Sequence, residues 1–185
     1  MKHLFLCLSV FLVFTSCKKS ENQPKSLAAD AEITQKLKEF YGIYGKSSDV
    51  IYDRPIPKNL FSSDLEKTFQ EAIDVSNADA EKVKKSAHPT DKPALLEGSI
   101  FTGLYEGFTT YKVKSIDVKE NNQNATVTVD FENANFQNTK WTDTVKLVNF
   151  SDSGWRVDNI TFSEKLSGTK DVKTSLKNFI SGTKK

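Results

Sequence analysis

The spacing of the apolar residues changes halfway along this chain, and that change constrains the fold more than any other feature. In the first half, apolar residues recur at intervals of three and four, which predicts one face of an amphipathic helix. They are Ile33, Leu37, Phe40, Tyr41 and Tyr44. Asp30 is expected to cap this helix at its N-terminus, and Gly45 to end it.

Two further helices are predicted on the same grounds. The second is expected to start at Ser62 or Ser63, with Glu66 at capping-box spacing behind Ser63, and to run on towards Lys85. Its apolar face consists of Leu65, Phe69, Ala72 and Ile73. A third helix at the C-terminus is marked by Val172, Leu176, Phe179 and Ile180. A connector over 53–58 contains two prolines and separates the first two helices.

The second half alternates apolar and polar residues with a period of two, which is typical of half-buried strands. Strands are predicted over 111–118, 125–132, 141–150 and 155–162, with polar turns at 121–124 and 151–154. Short turns between successive strands favour an antiparallel meander. The chain is therefore expected to be α+β, with helices on one face of a curved antiparallel sheet. Such a sheet forms a cone whose open end can hold a pocket.

The N-terminus has the features of an export signal. Lys2 precedes an apolar run over 4–14, which would be about 16 Å long as a helix and too short for a bilayer core of about 30 Å. Residues 1–16 are therefore interpreted as a signal peptide. The segment Phe14-Thr15-Ser16-Cys17 resembles the bacterial lipobox, which implies that Cys17 is acylated and becomes the mature N-terminus.

The lipid anchor sets the expected organisation of the mature chain. Acyl chains on Cys17 would hold the protein firmly on a membrane. Residues 17–29 are polar and are expected to form a flexible tether, residues 30–181 the domain, and residues 182–185 a basic tail. In enterobacterial sorting, as the lipobox resemblance implies, an Asp after the cysteine retains a lipoprotein at the inner membrane. Lys18 stands there instead, so we expect the outer membrane, without assigning the periplasmic or the surface side.

Composition excludes several classes of function. Among 185 residues, 26 basic and 24 acidic side chains give a net charge of +2, so no nucleic-acid partner is expected. Cys7 leaves with the leader and Cys17 is acylated, which leaves the mature domain without a thiol or a disulfide. Only His88 remains as a histidine after cleavage. We therefore expect no metal site, no cofactor and no triad of the Ser-His-Asp type.

A family resemblance rests on the last two strands. The sequence reads Lys140-Trp141-Thr142-Asp143-Thr144-Val145 and then Gly154-Trp155-Arg156-Val157-Asp158-Asn159-Ile160. The second segment resembles the closing strand of NTF2-like domains. Together with Phe40-Tyr41 and Asp91-Lys92-Pro93, it makes the chain similar to the DUF3828 group of bacterial lipoproteins. This resemblance implies an NTF2-like (cystatin-like) cone over about residues 30–181 and a place in the cell envelope, but no activity.

The candidate binding residues are those that could line the mouth of the cone. They are Asp91, Glu97, Tyr105, Glu106 and Trp141. The leading hypothesis is a non-enzymatic binding or scaffolding domain without catalytic residues. Its partner is left open among a small ligand, an envelope protein and a second copy of the chain.

Two alternatives belong to other classes. The first is a small hydrolase or isomerase that uses Asp91, Glu97 or Glu106 in the cone, with Tyr105 or Tyr111 nearby. The second is an immunity-type inhibitor that blocks a cell-wall enzyme. We expect that none of Asp91, Glu97, Glu106 and Asp130 is buried at the bottom of an open pocket, because carboxylates near glycine-rich turns commonly cap those turns or pair with lysines.

Overall fold

The computed structural model describes residues 23–45, 50–119 and 122–184. The three predicted helices and four predicted strands follow one another in the predicted order, with one additional helix of four residues between the first two. They are α1 (Gln23–Tyr44), α2 (Val50–Asp53), α3 (Ser63–Lys84), β1 (Thr110–Val118), β2 (Asn124–Asn133), β3 (Thr139–Phe150), β4 (Gly154–Thr161) and α4 (Val172–Thr183). The α+β class expected from the two spacings is confirmed. The predicted signal peptide (residues 1–16) and Cys17 lie outside the described residues.

The four strands form one antiparallel sheet in the order β1-β2-β3-β4. In its middle, Val127 of β2 lies opposite Ile116 of β1 and Val145 of β3. One face of β2 is buried at every second residue, from Ala125 to Asn133, as the alternation predicts. The helix α1 contacts both outer strands, β1 and β4, so the sheet bends around this helix.

The start of α1 differs from the prediction. This helix begins at Gln23 rather than after Asp30, so residues 23–29, expected in the flexible tether, are helical. The physical reason is that Ala29 is buried and extends the apolar stripe of Ile33 and Leu37 by one turn. Ala28, Ala29 and Ala31 also have high helix propensity.

The helix α3 is capped by the first of the two proposed serines. The Ser62 side chain accepts a hydrogen bond from the Leu65 backbone N–H, 3.2 Å away. The predicted capping box between Ser63 and Glu66 is therefore wrong, because Ser63 is already the first helical residue. The helix extends to Lys84, close to the predicted end at Lys85, although its second half has few apolar residues.

The two edges of the sheet differ in their hydrogen bonding to the rest of the chain. Leu60 to Ser62 pair in parallel with Val157 of β4, through a bond from Ser62 N to Val157 O of 2.8 Å and one from Val157 N to Leu60 O of 2.9 Å. Within the described part of the chain, the outer edge of β1 pairs with no strand. That edge carries Lys112, Lys114 and an irregularity between Val113 and Ser115, which discourage pairing with another chain.

The helix α4 closes the domain and extends into the predicted tail. Its N-cap is Asp171, whose carboxylate accepts from Thr174 N at 2.9 Å. The helix ends at Thr183, and Lys184 pairs with Glu71 of α3 at 2.7 Å. Lys184 is exposed to solvent, and the packing of α4 on α3 places it beside Glu71.

Candidate functional site

The domain has two distinct ends. At one end, Glu32 of α1 lines a depression together with Asn122, from the turn after β1, and Asn149, near the end of β3. At the other, Gly45 follows α1 and approaches Phe108 so closely that a Cβ on this glycine would lie 2.5 Å from the ring. We call this second end the loop end, formed by residues 94–109, 134–138 and 162–170. All predicted candidates except Asp91 lie in or beside it.

A buried carboxylate holds the loop end together. Asp143 of β3 is 1% exposed and lies on the core face of the sheet. Its Oδ2 accepts from the Gly103 backbone N–H at 2.8 Å and from Trp141 Nε1 at 3.0 Å. Its Oδ1 accepts from the Ser163 backbone N–H at 2.8 Å. Asp143 therefore ties the loop before β1 and the loop after β4 to the same strand.

Burial raises the pKa of the Asp143 carboxyl above its ordinary value, and the three N–H donors oppose that shift. Because the donors occupy both oxygens, the carboxylate is engaged in holding backbone. A catalytic base would instead need an oxygen that faces a substrate. The arrangement therefore fits a structural role for this group.

Aromatic side chains fill the space between α1 and the sheet. Tyr41 is 3% exposed, and its ring lies 5.5 Å from that of Phe108, 5.0 Å from Tyr111 and 5.3 Å from Phe131, between centroids. Its hydroxyl has no hydrogen-bond partner among the described residues. Burial raises the Tyr41 pKa well above its ordinary value, and the negative charge of Asp143 adds to that shift. In the described part of the domain, the space between α1 and the sheet is a packed core.

The structure does not bring the predicted carboxylates together. Asp91 is exposed in a turn where its backbone N–H donates to His88 O. Glu97 pairs with Lys92 at 2.8 Å. Asp130 lies on the outer face of the sheet and accepts from Thr142 Oγ1 at 2.6 Å. These three acids lie at separate places on the surface. None of them lies in the packed space between α1 and the sheet.

Tyr105 is presented on the surface by a rigid loop. Its side chain is 61% exposed, and its ring packs on Gly98, where a Cβ would lie 2.5 Å from Tyr105 Cδ2. The loop is closed by a bond from Ser99 N to Tyr105 O of 2.8 Å. Gly98 has a φ of +68°, a conformation that a side chain rarely adopts. Tyr105 is thus an exposed aromatic ring on a preformed support.

Next to Tyr105, Glu106 lines a depression of about 460 Å³. The rest of the lining is Phe108, Thr109, Asn133, Asn135 and Phe136. Buried Asn133 supports its floor, because Nδ2 donates to Gly107 O at 2.9 Å and Oδ1 accepts from Asn135 N and Phe136 N. We call this feature the Glu106 depression.

Most of the Trp141 side chain lies inside the domain. It is buried, stacked on Phe131 at 5.3 Å between centroids, with its indole N–H bound to Asp143. It borders a separate shallow groove on the sheet between Lys112 and Lys140. Of the five candidates, only Glu106 lines the depression at the loop end, and Tyr105 is its neighbour in sequence.

Sequence reasoning did not single out Asp143, Asn133 or Phe136 as site residues. A signal for Asp143 was present, because Trp141, Asp143, Val145 and Leu147 share one face of β3 and the other three are apolar. A carboxylate at a core position needs partners, which the sequence cannot name. Nothing local marks Asn133 and Phe136.

Among the described residues, there is no group of His, Cys, Asp and Glu side chains that could hold a metal ion. No helix between Gln23 and Thr183 that the structure describes is both long and apolar enough to span a bilayer. Comparison with known proteins returns no match: no family model fits the chain, and no curated protein or solved structure is significantly similar to it.

Proposed function

We propose that this chain is a lipid-anchored protein of the bacterial cell envelope, most naturally of the outer membrane, held there through Cys17. The support is the order of the N-terminal features: a basic start, a short apolar run, small residues and then the cysteine. We further propose that the domain is NTF2-like and related to the DUF3828 group. Helices packed on a four-stranded antiparallel meander are compatible with that fold.

The proposed role of the domain is binding or scaffolding rather than catalysis. The observation that carries this proposal is the packed interior of the cone, where aromatic rings surround Tyr41 and three N–H donors satisfy Asp143. A catalytic carboxylate in such a fold needs an open pocket around it. The enzyme alternative relied on Asp91, Glu97 and Glu106, which are exposed to solvent. Glu106 does line a depression, but neither a second acid nor a tyrosine is among the described residues that line it with Glu106.

The position of the anchor favours the loop end as the binding surface. The 22 residues of α1 span about 33 Å, and the end nearest to Cys17 in sequence is the one opposite the loop end. An anchored domain would therefore direct the loop end away from the lipid. Tyr105 and Phe136 are exposed there, and aromatic residues frequently dominate binding energy.

The anchor is tested by labelling cells with radioactive palmitate. The wild-type protein should be cleaved, labelled and recovered with membranes, and Cys17→Ser should remain uncleaved and unlabelled because the acyl acceptor is missing. Cys7→Ser is the matched control, since it removes the other cysteine, and should behave like the wild type. Normal processing and labelling of Cys17→Ser would contradict the anchor.

The binding role is tested with a photo-crosslinking amino acid placed at Tyr105 or Phe136 of the full-length protein in cells. We expect discrete adducts from these positions and none from Lys38, an exposed control position on α1. An adduct with a cell-wall enzyme, accompanied by loss of that enzyme's activity, would favour the immunity-type alternative. The absence of adducts at both loop-end positions would contradict a protein-binding role for this end.

A further inference from the structure

The Glu106 depression has one charge and no counterion. Glu106 is the only charged residue of its lining, and among the described residues its carboxylate forms no hydrogen bond or ion pair. Two other acids in this part of the domain are paired: Glu97 with Lys92, and Glu132 with Lys140 at 3.3 Å. The depression is therefore electrostatically complementary to a cation.

Aromatic rings share this depression with the carboxylate. Phe108 and Phe136 both line it, and Phe136 is 37% exposed. The turn that carries Phe136 is tightly bonded, because Phe136 O accepts from Thr139 N at 3.0 Å and from Thr139 Oγ1 at 2.6 Å. With Asn133 binding the other side of the turn, the backbone that carries this ring is held in place before any ligand arrives.

We propose that the Glu106 depression binds an organic ammonium group. A cation over an aromatic ring is attracted by the ring's electron-rich face, and an adjacent carboxylate supplies the opposite charge. The volume of about 460 Å³ suits a small ligand or a single side chain. This inference rests on the proposed binding role and names its chemistry. The ammonium group belongs either to a small quaternary amine or to a lysine side chain of a partner.

The test is calorimetric titration of the full-length protein in detergent with three probes. Choline supplies a small quaternary ammonium, the N-acetylated and C-amidated peptide Gly-Lys-Gly supplies a lysine side chain as its only charge, and 3,3-dimethylbutan-1-ol is the uncharged analogue of choline. We expect at least one of the two cationic probes to bind roughly tenfold or more tightly than the alcohol. Which of the two binds more tightly identifies the source of the ammonium group.

Variants assign the binding to this depression. Glu106→Gln keeps the shape and removes the charge, and should weaken cation binding roughly fivefold or more. Phe136→Ala should weaken it similarly, with an unchanged circular dichroism spectrum because this residue lies in a surface turn. Glu164→Gln, an exposed acid at the same end but outside the lining, is the matched control and should bind like the wild type.

The proposal is overturned if neither cation binds below about 20 mM, if the alcohol binds as tightly, or if Glu106→Gln binds unchanged. Such a failure would leave palmitate labelling of Cys17 and the loop-end crosslinks unaffected. The ammonium site and the broader binding role can therefore fail separately.

Discussion

Asp143 offers the sharpest test of how the loop end is built. Asp143→Ala leaves the backbone N–H groups of Gly103 and Ser163 and the Trp141 indole N–H buried without an acceptor. Each unsatisfied buried donor costs about 1–3 kcal/mol, and because the losses are not additive we expect about 3–5 kcal/mol of destabilisation. Asp143→Asn keeps one oxygen, which can still serve Gly103 and Trp141, but it turns an NH₂ group towards Ser163 N. We expect this variant to lose about 1–3 kcal/mol.

The assay is the free energy of unfolding from urea denaturation, combined with hydrogen exchange of the Gly103 and Ser163 amides. Exchange at both amides should accelerate in Asp143→Ala, and mainly at Ser163 in Asp143→Asn. Asp130→Asn is the control, since this acid lies on the outer face of the neighbouring strand, and its effect should stay within about 0.5 kcal/mol. A loss below about 1 kcal/mol for Asp143→Ala would refute the claim that this carboxylate organises the loops.

The pH dependence of stability has a defined sign. Burial raises the folded-state pKa of Asp143 above its unfolded value, so its linkage contribution to stability is fully present below the unfolded pKa. That contribution is lost as the pH rises through the folded pKa. The stability of the wild type relative to Asp143→Asn should therefore increase when the pH falls from about 7 to about 3. A decrease over that range would show that the three N–H bonds outweigh burial.

Two further substitutions probe the core. Trp155 is 2% exposed and packs towards the helices, as its alternation with Arg156 predicts. Trp155→Ala should therefore lower the free energy of unfolding, measured by urea denaturation, by about 3–5 kcal/mol. A shift of the melting temperature by only a degree or two would contradict this placement. Tyr41→Phe should be neutral or stabilising by up to about 1 kcal/mol, because the hydroxyl that it removes is buried without a partner. Tyr52→Phe is the control, since that hydroxyl accepts from Leu96 N at 2.7 Å and bonds to Ser76 Oγ, and it should be destabilising by about 1–3 kcal/mol.

Most of the secondary structure could be predicted because its signals are local. The alternation from Ala125 to Phe131 defines β2 and its buried face, and the spacing from Ile33 to Tyr44 defines the buried face of α1. Boundaries were harder, because they depend on neighbours. Asp30 has the chemistry of an N-cap, yet α1 starts seven residues before it because burial of Ala29 makes another turn favourable.

The site was only partly predictable for a related reason. Tyr105 and Glu106 were candidates because of their residue types and the glycines around them. Their neighbours in space come from distant parts of the chain, such as Phe136 from the turn after β2. No pattern in the sequence links positions 106 and 136, since the pairing of β1 with β2 is what places them together.

The sequence by itself determined the α+β class, the order of the elements and which face of each element is apolar, because these follow from periodicity and from turn residues within short windows. Tertiary structure alone decided that the space between α1 and the sheet is filled, because the aromatic rings meet only after α1 lies across the sheet. It also decided the role of Asp143, whose partners Gly103 and Ser163 lie 40 and 20 residues away in the chain. Folding brings hydrogen-bond donors to a buried carboxylate, and those donors determine whether the group has a structural or a catalytic role.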